Sequence, residues 1–236
     1  MSPKAASGRS RKFRTVAAIV TARNEEDTIA RTVKAIADVK GVTEVFVVDD
    51  ASTDQTAEEA QGAGARVLRT PAHLGKGGAL EGALDRIAPA DVFLLVDGDV
   101  GDSAGQAAAL IDPVVRGELD LAIARFPPLS GGGFGMVKAV SRALIRRAGR
   151  FDAEEPLSGQ RSITRAALDA CRPLAAGFGL ETAMTIDAAR LGFRIGEIRV
   201  EMTHRPTGRS PRGFAHRGMQ GVDILRAALP RLVGLR

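Results

Sequence analysis

The sequence predicts an α/β domain built around a mostly parallel sheet, and three observations carry that expectation. Short runs of branched and apolar residues alternate with longer stretches of helical periodicity. The connections between them are short, as right-handed β-α crossovers require. Polar and acidic clusters follow several of the apolar runs, at the carboxyl ends of the expected strands, where open α/β sheets bind ligands.

Taken in order, Val16 to Thr21 is a first strand, Glu25 to Ala37 a helix and Glu44 to Val48 a second strand. Thr53 to Gln61 is a second helix, Arg66 to Leu68 a short third strand and Lys76 to Ile87 a third helix. Val92-Phe93-Leu94-Leu95-Val96, bounded by Pro89 and Gly98, has the composition of a buried strand and ends at Asp97. Ser103 to Arg116 follows as a helix and Leu119 to Ala124 as a strand. Ser130-Gly131-Gly132-Gly133-Phe134-Gly135 is expected as a mobile loop beside the site. Met136 to Arg147 is then helical, Ser158 to Thr164 a short strand, Thr182 to Leu191 a helix and Ile195 to Thr203 a last strand.

With 236 residues, 44% of them hydrophobic, the chain can bury one sizeable core. We expect a single domain over 15–205, between a disordered basic arm, 1–14, and a basic extension, 206–236. No run reaches the ~18 apolar residues of a membrane span and no apolar signal core follows the basic start, so a cytoplasmic protein is expected. The lone Cys171 excludes an internal disulfide and a cysteine-based metal cluster.

The net charge of +5 is concentrated at the ends: Lys4, Arg9, Arg11, Lys12 and Arg14 in the arm, and Arg205, Arg209, Arg212, Arg217, Arg226 and Arg231 towards the carboxyl terminus. Such ends suit phosphate-bearing partners or an anionic membrane surface. A chain without Trp or Tyr has few stacking platforms, and nucleic acid is not an expected partner. From Met219 to Leu235, Val222, Ile224, Leu225, Ala228, Leu229, Leu232 and Val233 stand among arginines, although Pro230 interrupts a simple helix. That pattern suits peripheral contact with a membrane, packing on the core, or a homodimer.

The chemistry is concentrated at Asp97-Gly98-Asp99, where two carboxylates two apart on a turn can share a hard divalent cation, and the cation can hold a diphosphate. A lone turn of this kind more often caps a helix. Its companions are Thr21-Ala22-Arg23-Asn24-Glu25-Glu26-Asp27 and Asp49-Asp50-Ala51-Ser52-Thr53-Asp54, each opening a helix whose free N–H groups welcome anions. Capping by Asn24, Ser52 or Thr53 would explain either segment alone. Three acidic strand ends on one rim would repel one another unless a cation or ligand donors joined them. Lys76, between Gly75 and Gly77, adds a compact charge on a flexible stem, with glycines that let the backbone approach a base or phosphate. The spacing is not that of a P-loop, and no glycine cluster forms a dinucleotide fingerprint.

The ordered set Val20-Thr21-Ala22-Arg23-Asn24-Glu25-Glu26, Val47-Val48-Asp49-Asp50-Ala51-Ser52-Thr53-Asp54-Gln55-Thr56, Leu74-Gly75-Lys76-Gly77-Gly78-Ala79 and Val96-Asp97-Gly98-Asp99 resembles the family 2 glycosyltransferases of the GT-A fold. The resemblance implies a single Rossmann-like domain that binds a nucleotide sugar, a UDP-sugar being favoured. By it, Thr21, Ala22, Asn24, Glu25 and Asp49 hold the nucleoside, Asp49 accepting from a uracil-like N–H and Glu25 meeting ribose hydroxyls. Lys76 reaches the base or phosphates, Asp97 and Gly98 lie against sugar or ribose, and Asp99 ligates the Mg or Mn that bridges the diphosphate.

The second half is similar to polyprenyl-phosphate sugar transferases and glucosyl-3-phosphoglycerate synthases through Pro156-Leu157-Ser158-Gly159-Gln160, Gly177-Phe178-Gly179-Leu180-Glu181 and Thr203-His204-Arg205. This implies Gly159 and Gln160 at the acceptor, Glu181 as base or as stabiliser of a cationic sugar, and His204 completing the metal shell. Arg205 and Arg209 would clamp the diphosphate or an acidic acceptor, since guanidinium forks match phosphate oxygens. Gln160-Arg161 departs from both branches, so the implied acceptor is a hydroxyl or phosphate of either a lipid phosphate or a phosphoglycerate-like acid. The expected reaction is metal-assisted glycosyl transfer. The rival readings are a sugar-phosphate nucleotidylyltransferase, whose Gly-rich Arg-bearing loop is missing after the first strand, and a noncatalytic nucleotide-sugar sensor that would not need Glu181.

Overall fold

The computed structural model describes residues 15–127, 135–202 and 211–232, the last stretch with side chains from residue 221. In chain order the elements are β1 (Val16–Ala22), α1 (Ile29–Ala37), β2 (Val42–Asp49), α2 (Thr56–Gly62), β3 (Arg66–Arg69), α3 (Gly75–Leu84) and β4 (Val92–Asp97). A 3-10 segment, Gly98–Ala107, leads into α4 (Ala108–Val115) and β5 (Leu121–Arg125). Then follow α5 (Gly135–Gly149), β6 (Arg161–Thr164), α6 (Arg165–Ala170), a 3-10 turn at Gly177–Gly179, α7 (Leu180–Arg190), β7 (Ile195–Arg199) and α8 (Pro211–Leu232).

The strands form a seven-stranded sheet in the order β3-β2-β1-β4-β6-β5-β7. On one face Val16, Ala18 and Val20 of β1 and Leu94 of β4 pack with Ile29, Val33 and Ile36 of α1 and Leu110 of α4. On the other, Ile19, Phe46, Phe93 and Leu95 meet Leu80 of α3 and Leu180 and Met184 of α7. Helices therefore cover both faces, which is why the central strands read as unbroken apolar runs rather than as alternating ones. Each large side chain so buried contributes roughly 1.5–3 kcal/mol.

The parallel sheet has one departure: β6 runs antiparallel to both neighbours, β4 and β5. An antiparallel strand presents its beginning, not its end, at the rim formed by the ends of the parallel strands. Arg161 pairs with Leu95, so Gly159 and Gln160 enter the sheet beside the end of β4.

Several helices start later than expected. The segment 25–28 is a turn before α1, and α2 begins at Thr56 rather than Thr53. The helix expected over Ser103–Arg116 is instead a 3-10 segment, with Gly101 at φ 60°, followed by the shorter α4. Gly98, Gly101 and Gly105 weaken α-helical propensity there. The six-residue α6, capped by Thr164 accepting from the Ala167 N–H, is too short for periodicity to reveal.

Pro230 does not end α8, because it falls in the last turn of a helix already held by tertiary contacts. Ala228 packs with Ile145 of α5 and Ile186 of α7, and Ile224 is buried. Among the described residues no helix is long and apolar enough to cross a membrane. The basic arm 1–14, residues 128–134 of the expected mobile loop, and Thr203-His204-Arg205 with Arg209 lie outside the described residues.

Candidate active site

β1 lies between β2 and β4, with Thr21 in register with Val48 on one side and Asp97 on the other. The connection direction reverses here, and a crevice opens outside the carboxyl ends of such strands. A groove of about 1200 Å³ occupies this position, with Thr21, Ala22, Glu25, Lys76, Asp97 and Asp99 in its wall.

The Asp97-Gly98-Asp99 turn is fixed by α1. Thr28 and Thr32 donate to the Gly98 carbonyl at 3.2 and 2.9 Å, and Thr32 Oγ1 accepts from the Gly101 N–H at 2.8 Å. A β-carbon at Gly98 would lie 2.9 Å from that of Ala22, so close strand-to-turn packing requires glycine there. Both carboxylates are thus carried on a backbone anchored from a neighbouring helix.

The two polar segments after β1 and β2 bind each other, while Asp54 Oδ1 accepts from the Thr56 N–H at 3.1 Å at the start of α2. Asn24, at φ 55°, donates its N–H to Ser52 Oγ at 3.0 Å and accepts from the Thr53 N–H at 2.9 Å. Glu25 N–H reaches Thr56 Oγ1 at 2.8 Å, and Gln55 N–H reaches Glu26 Oε2 at 3.0 Å. The N-cap residues of α1 and α2 make no side-chain cap bond. The Asn24 side chain, expected at the nucleoside, serves as this staple.

Asp49, expected to meet a nucleobase, is fully buried and absent from the groove wall. Its Oδ1 accepts from the Ser52 N–H at 3.0 Å, and Oδ2 lies 3.2 Å from Arg69 Nε in an ion pair without hydrogen-bond alignment. Alternation along the extended chain turns the next residue, Asp50, to the groove instead. Asp50 accepts from the Leu74 N–H at 2.7 Å and meets His73 Nδ1 at 2.7 Å, and so holds the chain that enters α3. Asp50, which stands in the acidic segment after the second strand, and His73 were not among the expected site residues; the doubled Asp49-Asp50 was the available signal.

Lys76 joins the rest of the site. Its Nζ lies 2.5 Å from Asp97 Oδ1 and 2.8 Å from Glu181 Oε1, while Gln160 Nε2 donates to Asp97 Oδ2 at 3.1 Å. Burial opposes the charge on Lys76, but Asp97 and Glu181 outweigh it and hold the ammonium well above its ordinary pKa. The repulsion anticipated among the acids is therefore relieved partly by the chain's own cation. Gly159, expected at the acceptor, packs against this pair: a β-carbon there would fall on Asp97 Oδ2 and Lys76 Nζ. Gly77 serves packing too, since a β-carbon would fall on the Ala175 carbonyl oxygen.

Glu181 stands in the first turn of α7, where the helix dipole favours a carboxylate. Beneath it lies Arg161, 1% exposed, donating through Nε to the Ser158 carbonyl at 2.8 Å and through Nη1 to Thr185 Oγ1 at 2.9 Å. Thr185 in turn donates to the Glu181 carbonyl at 2.8 Å. Burial pushes the guanidinium down to about 10, against the pull of Glu181 and other acids, which leaves it charged at neutral pH. Nothing in its local sequence pattern distinguished Arg161 from a surface arginine.

Among the described residues no three His, Cys, Asp or Glu side chains gather into a ready-made metal shell. His204 and Arg205, expected as metal ligand and anion clamp, lie outside those residues.

The model of glycosyl transferase family 2 matches residues 17–168, from β1 through α6. Glycosyltransferase AglJ of Haloferax volcanii is 32% identical over 189 residues, covering 78% of this chain, which spans only 62% of that protein. A glucosyl-3-phosphoglycerate synthase of Mycolicibacterium paratuberculosis is 32% identical over 92% of this chain and 74% of its own length. An undecaprenyl-phosphate mannosyltransferase of Micrococcus luteus is 28% identical over 94% and 97%. The crystal structure of glucosyl-3-phosphoglycerate synthase from Mycobacterium tuberculosis with Mn2+, UDP-glucose and phosphoglyceric acid superposes with a TM-score of 0.79 at 28% identity. It covers 93% of this chain and 80% of that one, and the same enzyme was also crystallised with Mg2+ and UDP. Groove, strand-end acids and family match converge on one statement: the chain belongs to the family 2 glycosyltransferases.

Proposed function

We propose that the groove binds a nucleoside diphosphate sugar, a UDP-sugar, and transfers its sugar to a small phosphate-bearing acid of the phosphoglycerate kind. The carrying observation is the Lys76 ammonium held between Asp97 and Glu181 at the sheet's switch point. A cation at the floor of a groove offers a diphosphate its counter-charge, and the two carboxylates hold that cation in place until the anion arrives. Thr21 Oγ1, buried and without a hydrogen-bond partner, and Asp50 are the groups we assign to the nucleoside, in place of Asp49.

Asp99 in the groove wall is a hard oxygen donor on an anchored turn, which fits Mg2+ or Mn2+; such ions are commonly held by one or two carboxylates plus substrate phosphates. The bound ion would supply stabilisation of the charge that grows on the leaving diphosphate. Lys76 supplies the same from the protein side, and its release from Glu181 frees that carboxylate for the sugar or for the acceptor hydroxyl proton. Lys138, beside Glu155 on the same wall, and Arg23 are further cations for an acidic acceptor.

A lipid-phosphate acceptor is the second reading, favoured by the outer face of α8. Val222, Leu225 and Leu229 are 46, 42 and 53% exposed there, with Arg226 beside them. Flotation with anionic vesicles distinguishes the two, because a soluble-acid enzyme stays at the bottom of the gradient.

Isothermal titration with UDP-glucose, UDP-N-acetylglucosamine, GDP-mannose and dTDP-glucose, with and without Mn2+ and alongside Asp99→Ala, tests the donor assignment. Metal-dependent binding of one donor, lost in the variant, is the expected result. Folded protein that binds none of them refutes it. Release of pyrophosphate on turnover would indicate a nucleotidylyltransferase, and binding without any turnover a sensor.

A further inference from the structure

Helix α8 carries an acid into the groove that no strand-end motif announces. Asp223 is in the wall, beside Phe178 and Ile224. Its Oδ2 accepts from the Phe178 N–H at 3.2 Å. The neighbouring turn is shaped around it: a β-carbon at Gly177, whose φ is 58°, would fall on Asp223 Oδ2, and one at Gly179 would meet the Asp223 carbonyl oxygen at 2.7 Å. Gly75, next to Lys76, abuts Gly177 from the other side, a β-carbon there lying 3.3 Å from the Gly177 Cα. Asp223 therefore stands one backbone away from the Lys76 floor.

Its position is not a matter of a loosely appended helix. The Arg231 guanidinium, 4% exposed, grips Asp187 of α7 through two bonds, Nε to Oδ1 at 2.7 Å and Nη2 to Oδ2 at 2.5 Å, and donates to the Ala227 carbonyl. Arg190 closes the same end by donating to the Arg231 carbonyl at 2.6 Å. Asp223 is thus held relative to α7, the helix that carries Glu181.

Resting on the donor reading above, we propose that Asp223 is a specificity-determining residue that accepts a hydrogen bond from a hydroxyl of the donor's sugar. A carboxylate repels the diphosphate and an acidic acceptor, so the part of the ligand that meets it must bring neutral donors. In a nucleotide sugar these are a base N–H and the hydroxyls of ribose and sugar, and with the nucleoside assigned to Thr21 and Asp50 the sugar's hydroxyls are the ones left for Asp223. One oxygen is committed to the Phe178 amide, which fixes the plane of the carboxylate and leaves Oδ1 as the reading atom. A site built to accept from a hydroxyl discriminates strongly against analogues that lack it.

The test compares the wild type, Asp223→Asn and Asp223→Ala by titration with UDP, with the sugar nucleotide the protein prefers, and with that donor's monodeoxy analogues. The asparagine carbonyl still accepts from the Phe178 N–H, so a purely structural role predicts rescue by Asn. Expected are unchanged UDP affinity in both variants, a 10-fold or greater rise in Kd for the full donor with Asp223→Ala, and no effect of that substitution on one deoxy analogue. Equal losses for UDP and donor, rescued by Asn, would reduce Asp223 to a scaffold and overturn the inference. Unchanged donor affinity in Asp223→Ala would overturn it as well, while leaving the donor reading standing. Failure of the wild type to bind UDP at all would remove the donor reading, and the inference with it.

Discussion

At the scale of single residues, the site is a charge problem solved by Lys76. Replacing it, Lys76→Met, leaves Asp97 and Glu181 facing each other without the ammonium between them, while Gln160 Nε2 still donates to Asp97. We expect donor Kd to rise 10–100-fold in titration, about 1.4–2.7 kcal/mol. The lysine's raised pKa means that its stabilising charge is fully present below the unfolded value of about 10.4 and is lost only as pH rises past the folded one. The urea midpoint difference between wild type and Lys76→Met should therefore stay level from about pH 7.5 to 9.5, and a decline within that window would contradict the bridge. Arg161→Ala removes a fully buried cation, a large side chain and the tie between Ser158 and Thr185. It should cost roughly 3–5 kcal/mol in denaturant unfolding, by cavity and unpaired partners together. Residue types and spacing drew attention to Lys76, Asp97 and Asp99, and the family resemblance to Glu181, and the fold brings Lys76, Asp97 and Glu181 into contact. Arg161 and the choice between Asp49 and Asp50 were not legible, because burial and side-chain direction at the end of a strand are decided by the neighbouring segments.

At the scale of elements, strands were the most legible because both faces of the sheet are covered, leaving β1, β2 and β4 as short apolar runs whose branched residues and brevity favour strand over helix. Helix starts were less so. Asn24, Ser52 and Thr56 have the composition of caps, yet their bonds cross between two loops, a tertiary use that local sequence does not distinguish from capping. The glycines of α3 separate the two kinds of information in one helix. Gly77→Ala drives a methyl group into the Ala175 carbonyl and should destabilise by at least 1–3 kcal/mol, or shift α3 and abolish donor binding. Gly82→Ala, exposed and with nothing within 4 Å of the added carbon, should stabilise by up to about 1 kcal/mol. Melting temperatures of the pair, moving in opposite directions, would check this; equal shifts would show that α3 does not rest on the 175–177 segment as described.

At the scale of the whole molecule, the expectation was a domain over 15–205 and a basic extension, 206–236, with an amphipathic helix packed on the core among its outcomes, and α8 packs on α5 and α7 with Asp223 in the groove wall. Amphipathic spacing could not decide among core, membrane and second copy, because the same helix turns Ile224 and Ala228 inward and Val222, Leu225 and Leu229 outward. What decides is Arg231, one arginine among many in a basic tail, which finds a buried acid 44 positions away. We propose that α8 is part of the catalytic unit, and the ion pair provides the test. Asp187→Ala strands the Arg231 guanidinium in a buried setting and should cost about 3–5 kcal/mol, with loss of donor binding as α8 loosens. Replacing both partners by apolar residues, Asp187→Leu with Arg231→Met, removes the stranded charge and should recover most of that stability, since buried pairs exchange well for packed apolar groups. Donor affinity should return with it if α8 closes the groove. A double variant that regains its urea midpoint but not its donor affinity would place the ion pair's contribution in the groove itself. A single variant with unaltered stability and binding would return α8 to the status of an appendage.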